Sequence, residues 1–85
     1  MAHIVLPSVL SAEAGGRKSF EVYGETVGDA LRALPIADLL FDERGEWNRW
    51  LNVYVDGIDA RERGGQECPL AETREIRILA HIAGG

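Results

Sequence analysis

Apolar and polar residues alternate at the start of the chain, with Ala2, Ile4 and Leu6 sharing one phase of a period-two pattern. That spacing predicts a β-strand with one buried face. Residues 11–17 interrupt it with Gly15 and Gly16, and Phe20 and Val22 then resume it, so the chain is expected to open as a β-hairpin. The glycine pair supplies positive φ at the turn, which is a sufficient structural explanation for it.

The period changes at Thr26. Val27, Ala30, Leu31 and Leu34 recur at helical spacing, Thr26 and Asp29 stand as a capping pair, and Glu25 and Asp29 place negative charge at the positive end of the helix dipole. Pro35 disfavours helical backbone at Leu34 and cannot donate to the preceding turn, so a helix of about two turns is expected to stop or kink there. Residues 36–41 can add a brief further turn that carries Leu39 and Leu40 to the core, before the polar stretch 42–48.

Alternation returns over residues 50–55, with Leu51, Val53 and Val55 on one face and Trp50, Asn52 and Tyr54 on the other. Asp56-Gly57 is a strong two-residue hairpin signal, after which residues 58–61 can run back as a short strand ended by Gly64-Gly65. Past the turn-prone residues 66–73, the last strand is expected over 75–81. It places Ile76, Ile78 and Ala80 on one face and Arg77, Leu79 and His81 on the other.

Hairpin, helix, strand, short strand, final strand is the order of a β-grasp. The expected class is α+β, a mixed sheet of four to five strands with one main helix across it. The last strand would lie between the first and the middle one, and parallel to the first, as the crossover rule allows. No internal repeat and no Pro-, Gly- or Ser-rich linker divides the chain, so residues 1–85 read as a single domain with a flexible tail at 82–85.

Composition narrows the functions on offer. A net charge of −5 and an isoelectric point near 4.9, with no Lys/Arg cluster, argue against nucleic acid as a partner. No apolar run is long enough to cross a bilayer, and the N-terminus lacks the basic flank and apolar stretch of a signal peptide. Cys68 is the single cysteine and cannot form an intramolecular disulfide, so a reducing cytoplasm is the expected compartment.

The catalytic inventory is thin. His3 and His81 have no Cys or acidic residue at metal-ligand spacing, and Ser8, Ser11 and Ser19 lack a nucleophile elbow. No glycine-rich loop carries the lysine of a phosphate cradle. Asp42, Glu43, Glu46, Asp56 and Asp59 fall in polar turns, where solvation accounts for them. An autonomous enzyme is not expected.

What stands out is the ending, in which a strand pattern runs through Ile82 and Ala83 into Gly84 and Gly85. A reactive acyl terminus must thread into a partner's narrow channel, and residues without a Cβ minimise bulk around the carbonyl carbon. Terminal glycines alone are weak evidence, since chain ends fray. Their weight comes from standing at the end of a β-grasp order.

Several segments resemble the sulfur-carrier family that includes the small subunit of molybdopterin synthase, the thiamine carrier and the carrier for cysteine synthesis (the MoaD/ThiS family, ubiquitin-like in fold). They are the helix start Thr26-Val27-Gly28-Asp29-Ala30-Leu31, the strand Leu51-Asn52-Val53-Tyr54-Val55-Asp56-Gly57, the run Asp59-Ala60-Arg61 leading to Gly64-Gly65, and the ending Ala83-Gly84-Gly85. The resemblance covers nearly the whole chain and rests on the order of these pieces.

The resemblance implies that the protein is a co-substrate. An E1-like activating enzyme would use ATP and magnesium to adenylate the Gly85 carboxylate, sulfur would replace AMP, and the Gly85 thiocarboxylate would pass its sulfur to a substrate held by a sulfur-acceptor synthase. No cofactor would be bound by the carrier. The strand at 52–55 with Asp59 and Arg61 looks more like the cysteine-synthesis type, or a relative serving another sulfur-containing metabolite. The alternatives are the molybdopterin synthase small subunit and a ubiquitin-like protein modifier. Pro35, Cys68-Pro69, Glu72-Thr73-Arg74 and His81 depart from the family pattern and bear on the acceptor. Partner recognition is expected on the tail and the exposed sheet face, at Trp50, Tyr54, Leu79, His81, Ile82 and Ala83.

Overall fold

A computed structural model of the protein describes residues 2–80. The chain opens with β1 (Ala2–Val5) and returns as β2 (Ser19–Val22), paired antiparallel with Ile4 opposite Phe20. Gly15 and Gly16 take the expected left-handed φ of 73° and 88° before the return. The connection also holds a short helix, α1 (Ser8–Glu13), where a plain turn was expected. Pro7 C=O accepts from the N–H groups of Leu10 and Ser11, and the turn of helix carries Leu10 into the core four residues after buried Leu6. That i, i+4 pair was the signal for it.

The main helix, α2 (Val27–Arg32), begins as expected: Thr26 Oγ1 accepts from Asp29 N–H at 3.1 Å. It ends before Pro35, and α3 (Ala37–Leu40) adds a single turn. Leu40 is buried, but Leu39 is 36% exposed and does not reach the core. Successive helical residues point about 100° apart, so one short turn buries Leu40 together with Ile36 and turns Leu39 out.

β3 (Leu51–Val55) and β4 (Ile58–Asp59) form the expected hairpin, with φ of 50° at Asp56 and 85° at Gly57. Both positive values fit a primed turn. β4 is shorter than expected, because Asp59 Oδ1 accepts from Arg61 N–H at 2.9 Å and starts a 3₁₀ turn at Ala60–Arg63. Two more 3₁₀ turns follow, Gly65–Glu67 and Leu70–Glu72, and then β5 (Glu75–Ala80).

The strand order is β2-β1-β5-β3-β4. β5 runs parallel to β1, with Ile76 opposite Ile4, and antiparallel to β3, with Ile76 opposite Val55. This is the mixed five-stranded sheet of a ubiquitin-like β-grasp. Ile4, Val53, Val55, Ile76 and Ile78 present the inner face of the sheet to Leu10, Val27, Leu31 and Leu40 of the helices. Cys68 belongs to this core, with its Sγ 3.9 Å from Thr73 Oγ1. Gly28 lets α2 lie against the 3₁₀ turn at Gly65–Glu67, since a Cβ there would stand 2.9 Å from Gln66 Cβ and 3.0 Å from Gln66 O.

Candidate functional site

The antiparallel pairing of β5 with β3 carries the last strand out to Ala80, opposite Leu51 at the start of β3. The sequence continues from there through five residues to Gly85. His81, Ile82, Ala83, Gly84 and Gly85, all singled out from sequence, lie outside the described residues.

The outer face of the sheet can be followed strand by strand. Residues opposite one another on neighbouring strands project to the same side. Tyr54 stands opposite Asp59 on β4 and Arg77 on β5, and Arg77 stands opposite Val5 on β1. Leu79 stands opposite Asn52 and is 43% exposed. Tyr54 is half-buried in the middle of this surface. Thus Leu79 and Tyr54 share one face, as their alternation predicts. Trp50 is placed differently. It precedes β3 in a turn, half-buried, and packs against the core cluster.

Charges on this face are paired locally. Arg61 clamps Asp59 from both ends, with Nη2 2.8 Å from Oδ2 and Nε 3.1 Å from Oδ1. These side-chain bonds, with the backbone N–H of Arg61, hold the Asp59 carboxyl down at about 2 and push the Arg61 guanidinium up. Beside them Arg77 Nε lies 3.3 Å from Glu75 Oε1. Sequence reasoning noted Asp59 and Arg61 as a shared segment without placing them beside Tyr54. The Asp-Gly turn at 56–57 fixes that register and was the available signal.

His3 is exposed and stands opposite Glu75, at the start of β5. Among the described residues, no three His, Cys, Asp or Glu side chains are grouped to hold a metal ion. No helix among them is long and apolar enough to cross a membrane. The chemistry this surface can offer is recognition: an apolar residue, an aromatic ring and oriented ion pairs beside the end of β5.

Known proteins with this arrangement are found. The chain is 32% identical over 89 residues to the sulfur carrier protein CysO of Mycobacterium tuberculosis, with 96% of each chain covered. The crystal structure of Mycobacterium tuberculosis CysO superposes with a TM-score of 0.84 at 28% identity, covering 96% of this chain and all of that one. A crystal structure of the Amycolatopsis orientalis BexX/CysO complex matches with a TM-score of 0.82 at 29% identity over the full length of both chains. The small archaeal modifier protein 1 of Methanosarcina acetivorans matches at 0.78 and 28% identity, over 99% of this chain and 95% of that one. The model of the ThiS family matches residues 5–85, and the chain therefore belongs to the ThiS family.

Proposed function

We propose that this protein is a sulfur carrier serving the biosynthesis of cysteine or another sulfur-containing metabolite, with the Gly85 carboxyl group as its working atom. The observation that carries the reading is that the family match extends through Gly84 and Gly85, in a chain whose last described strand ends at Ala80, five residues before Gly85 in sequence. The 32% identity to CysO supports the cysteine branch.

In this reading a Gly85 carboxylate oxygen attacks the α-phosphorus of ATP, bound with magnesium by an E1-like partner, and pyrophosphate leaves. The mixed anhydride turns an inert carboxylate into an electrophile. Sulfide then attacks the carbonyl carbon and AMP departs, leaving a thiocarboxylate, a soft nucleophile at neutral pH. A second enzyme receives the sulfur. The protein is a co-substrate in each step and supplies no catalytic side chain. The working compartment is the cytoplasm.

Recognition falls to Leu79 and Tyr54 on the outer face, and to His81, Ile82 and Ala83 leading into the glycines, whereas Trp50 packs against the core and contributes at most its exposed edge. The solved complex of a CysO with BexX supports a partner enzyme for this chain. The test is adenylation itself: exchange of labelled pyrophosphate into ATP by the native activating enzyme. Exchange should depend on this protein and collapse for Gly85→Ala while binding to the enzyme is largely kept. Equal loss of binding and exchange would argue against a threaded terminus.

A second reading has an observation of its own. Similarity to small archaeal modifier protein 1 favours a ubiquitin-like modifier, in which the activated Gly85 would pass to lysine amines of other proteins. The chemistry is the same up to the adenylate, and linked adducts in cells would favour it. A stable heteromer with a larger catalytic subunit would instead favour the molybdopterin synthase small subunit.

A further inference from the structure

β4 covers only part of β3. It pairs with Tyr54 and Val55 and leaves the sheet at Ala60, whereas β3 begins at Leu51. The phase of the ladder fixes where the backbone of the uncovered stretch points. Asp56 N–H donates to Glu75 O on the β5 side, so Tyr54 and Asn52 also address β5, while Val55, Val53 and Leu51 address the opposite side.

Val55 meets Ile58 there, and Leu51 N–H donates to Asn48 O at 3.0 Å. Ala60 C=O, the nearest acceptor past the end of β4, is taken by Gly64 N–H. The Leu51 C=O and Val53 N–H remain, flanking Asn52, without a hydrogen bond to the described residues. They adjoin a groove of about 510 Å³ lined by Trp47, Arg49, Leu51, Val53, Arg61 and Gln66.

We propose that this groove receives an extended, acidic segment of a partner protein, added as a strand beside β3. A C=O and an N–H flanking one residue are what a single residue of an extended chain satisfies with its own N–H and C=O. A compact solute has no reason to match that spacing and direction. Unpaired edge groups of this kind are a ready template for another chain, and the volume accommodates one or two side chains.

Charge selects the acidic segment. Two carboxylates, Glu46 and Asp59, also line the groove, and each faces a guanidinium: Asp59 engages Arg61 at 2.8 Å, and Glu46 lies 3.7 Å from Arg44. Arg49 is exposed and has no ion-pair partner among the described residues, so it is the cation left to meet a carboxylate from outside. In the same wall the Trp47 indole N–H is buried without an acceptor, so the wall carries a second unmet donor. Leu51 stands opposite Ala80, which puts the groove one strand away from the end of β5, within reach of a partner holding the tail. The site does not depend on the chemistry at Gly85.

The test selects random peptides displayed on phage against the folded full-length protein and titrates the enriched ones into the isotope-labelled chain. The proposal expects enriched peptides to carry an acidic residue and to shift backbone resonances centred on residues 51–53 and on Gly65 and Gln66. The Val53 amide should exchange with solvent about tenfold more slowly when bound. Arg49→Glu, at an exposed position, should keep the spectrum of the folded protein and weaken binding by about fivefold. Peptides that map to the outer sheet face or to β2, an unchanged Val53 amide, binding indifferent to Arg49→Glu, or no enrichment at all would each overturn the proposal.

Discussion

Asp56 and Glu75 are joined twice: Asp56 N–H donates to Glu75 O at 2.9 Å, and Asp56 Oδ1 accepts from Glu75 N–H at 2.9 Å. The same carboxylate accepts from Arg74 N–H at 3.1 Å. One residue of the β3–β4 turn therefore sets the point at which β5 enters the sheet.

Asp56→Ala should lose the two bonds accepted by the carboxylate, while keeping the backbone bond to Glu75, together with a residue that tolerates left-handed backbone, at a cost of about 1–3 kcal/mol. Asp56→Asn keeps an acceptor and the backbone preference, so its loss should be the smaller of the two. Urea unfolding of the two variants checks the order, and equal losses would contradict the role given to the carboxylate.

Gly28→Ala tests the packing of α2 on the Gly65–Glu67 turn. An added methyl meets backbone at Gln66 O, which cannot swing aside as a side chain would. Despite the better helix propensity of alanine, the variant should be less stable by about 1–3 kcal/mol in thermal or urea unfolding. A stabilised variant would show that the turn yields.

Asp59 carries a pH signature. Its carboxyl sits at about 2 in the folded protein, against the usual 3.8. A carboxyl whose folded value is depressed adds stability that is fully present above its unfolded value and is lost as pH falls from about 4 to about 2. Titration by carbon-detected resonance should show Asp59 protonating near pH 2, and Arg61→Gln should bring it back toward the ordinary range.

Lys18 is the only lysine in the sequence, beside eight arginines. Guanidinium groups stay protonated and do not attack acyl adenylates, so a side-chain isopeptide linkage between copies can form only at Lys18. With the activating enzyme and ATP, the carrier reading predicts monomeric product, and any linked dimer should fall to background in Lys18→Arg. Dimers that persist in Lys18→Arg would point to another acceptor group.

Much of this architecture was legible in the sequence, for identifiable reasons. Strand alternation at Leu51, Val53 and Val55, the Asp56-Gly57 turn, the Thr26 cap and the Pro35 stop are local signals, and local interactions decide those elements. The α1 turn was missed because Leu6 and Leu10 share a helical spacing too short to stand out from the preceding alternation. The end of β4 and the place of Trp50 were missed because they depend on a side-chain cap at Asp59 and on packing against the core. The outer face was half legible: period two put Tyr54 and Leu79 together, but the pairing that brings Asp59, Arg61 and Arg77 beside them is a long-range relationship. The open edge at Leu51 and Val53 follows from where β4 stops, which a sequence pattern does not show.

The central claim is that Gly85 accepts sulfur, and intact mass measurement tests it most directly. After incubation with its native activating enzyme, ATP, magnesium and a sulfur source, the protein should gain about 16 Da, the exchange of one oxygen for sulfur, mapped by fragmentation to Gly85. The chain lacking Gly84 and Gly85 should fold and gain nothing. An unchanged mass for the full chain, with the enzyme shown to be active and the sulfur source present, would contradict the account.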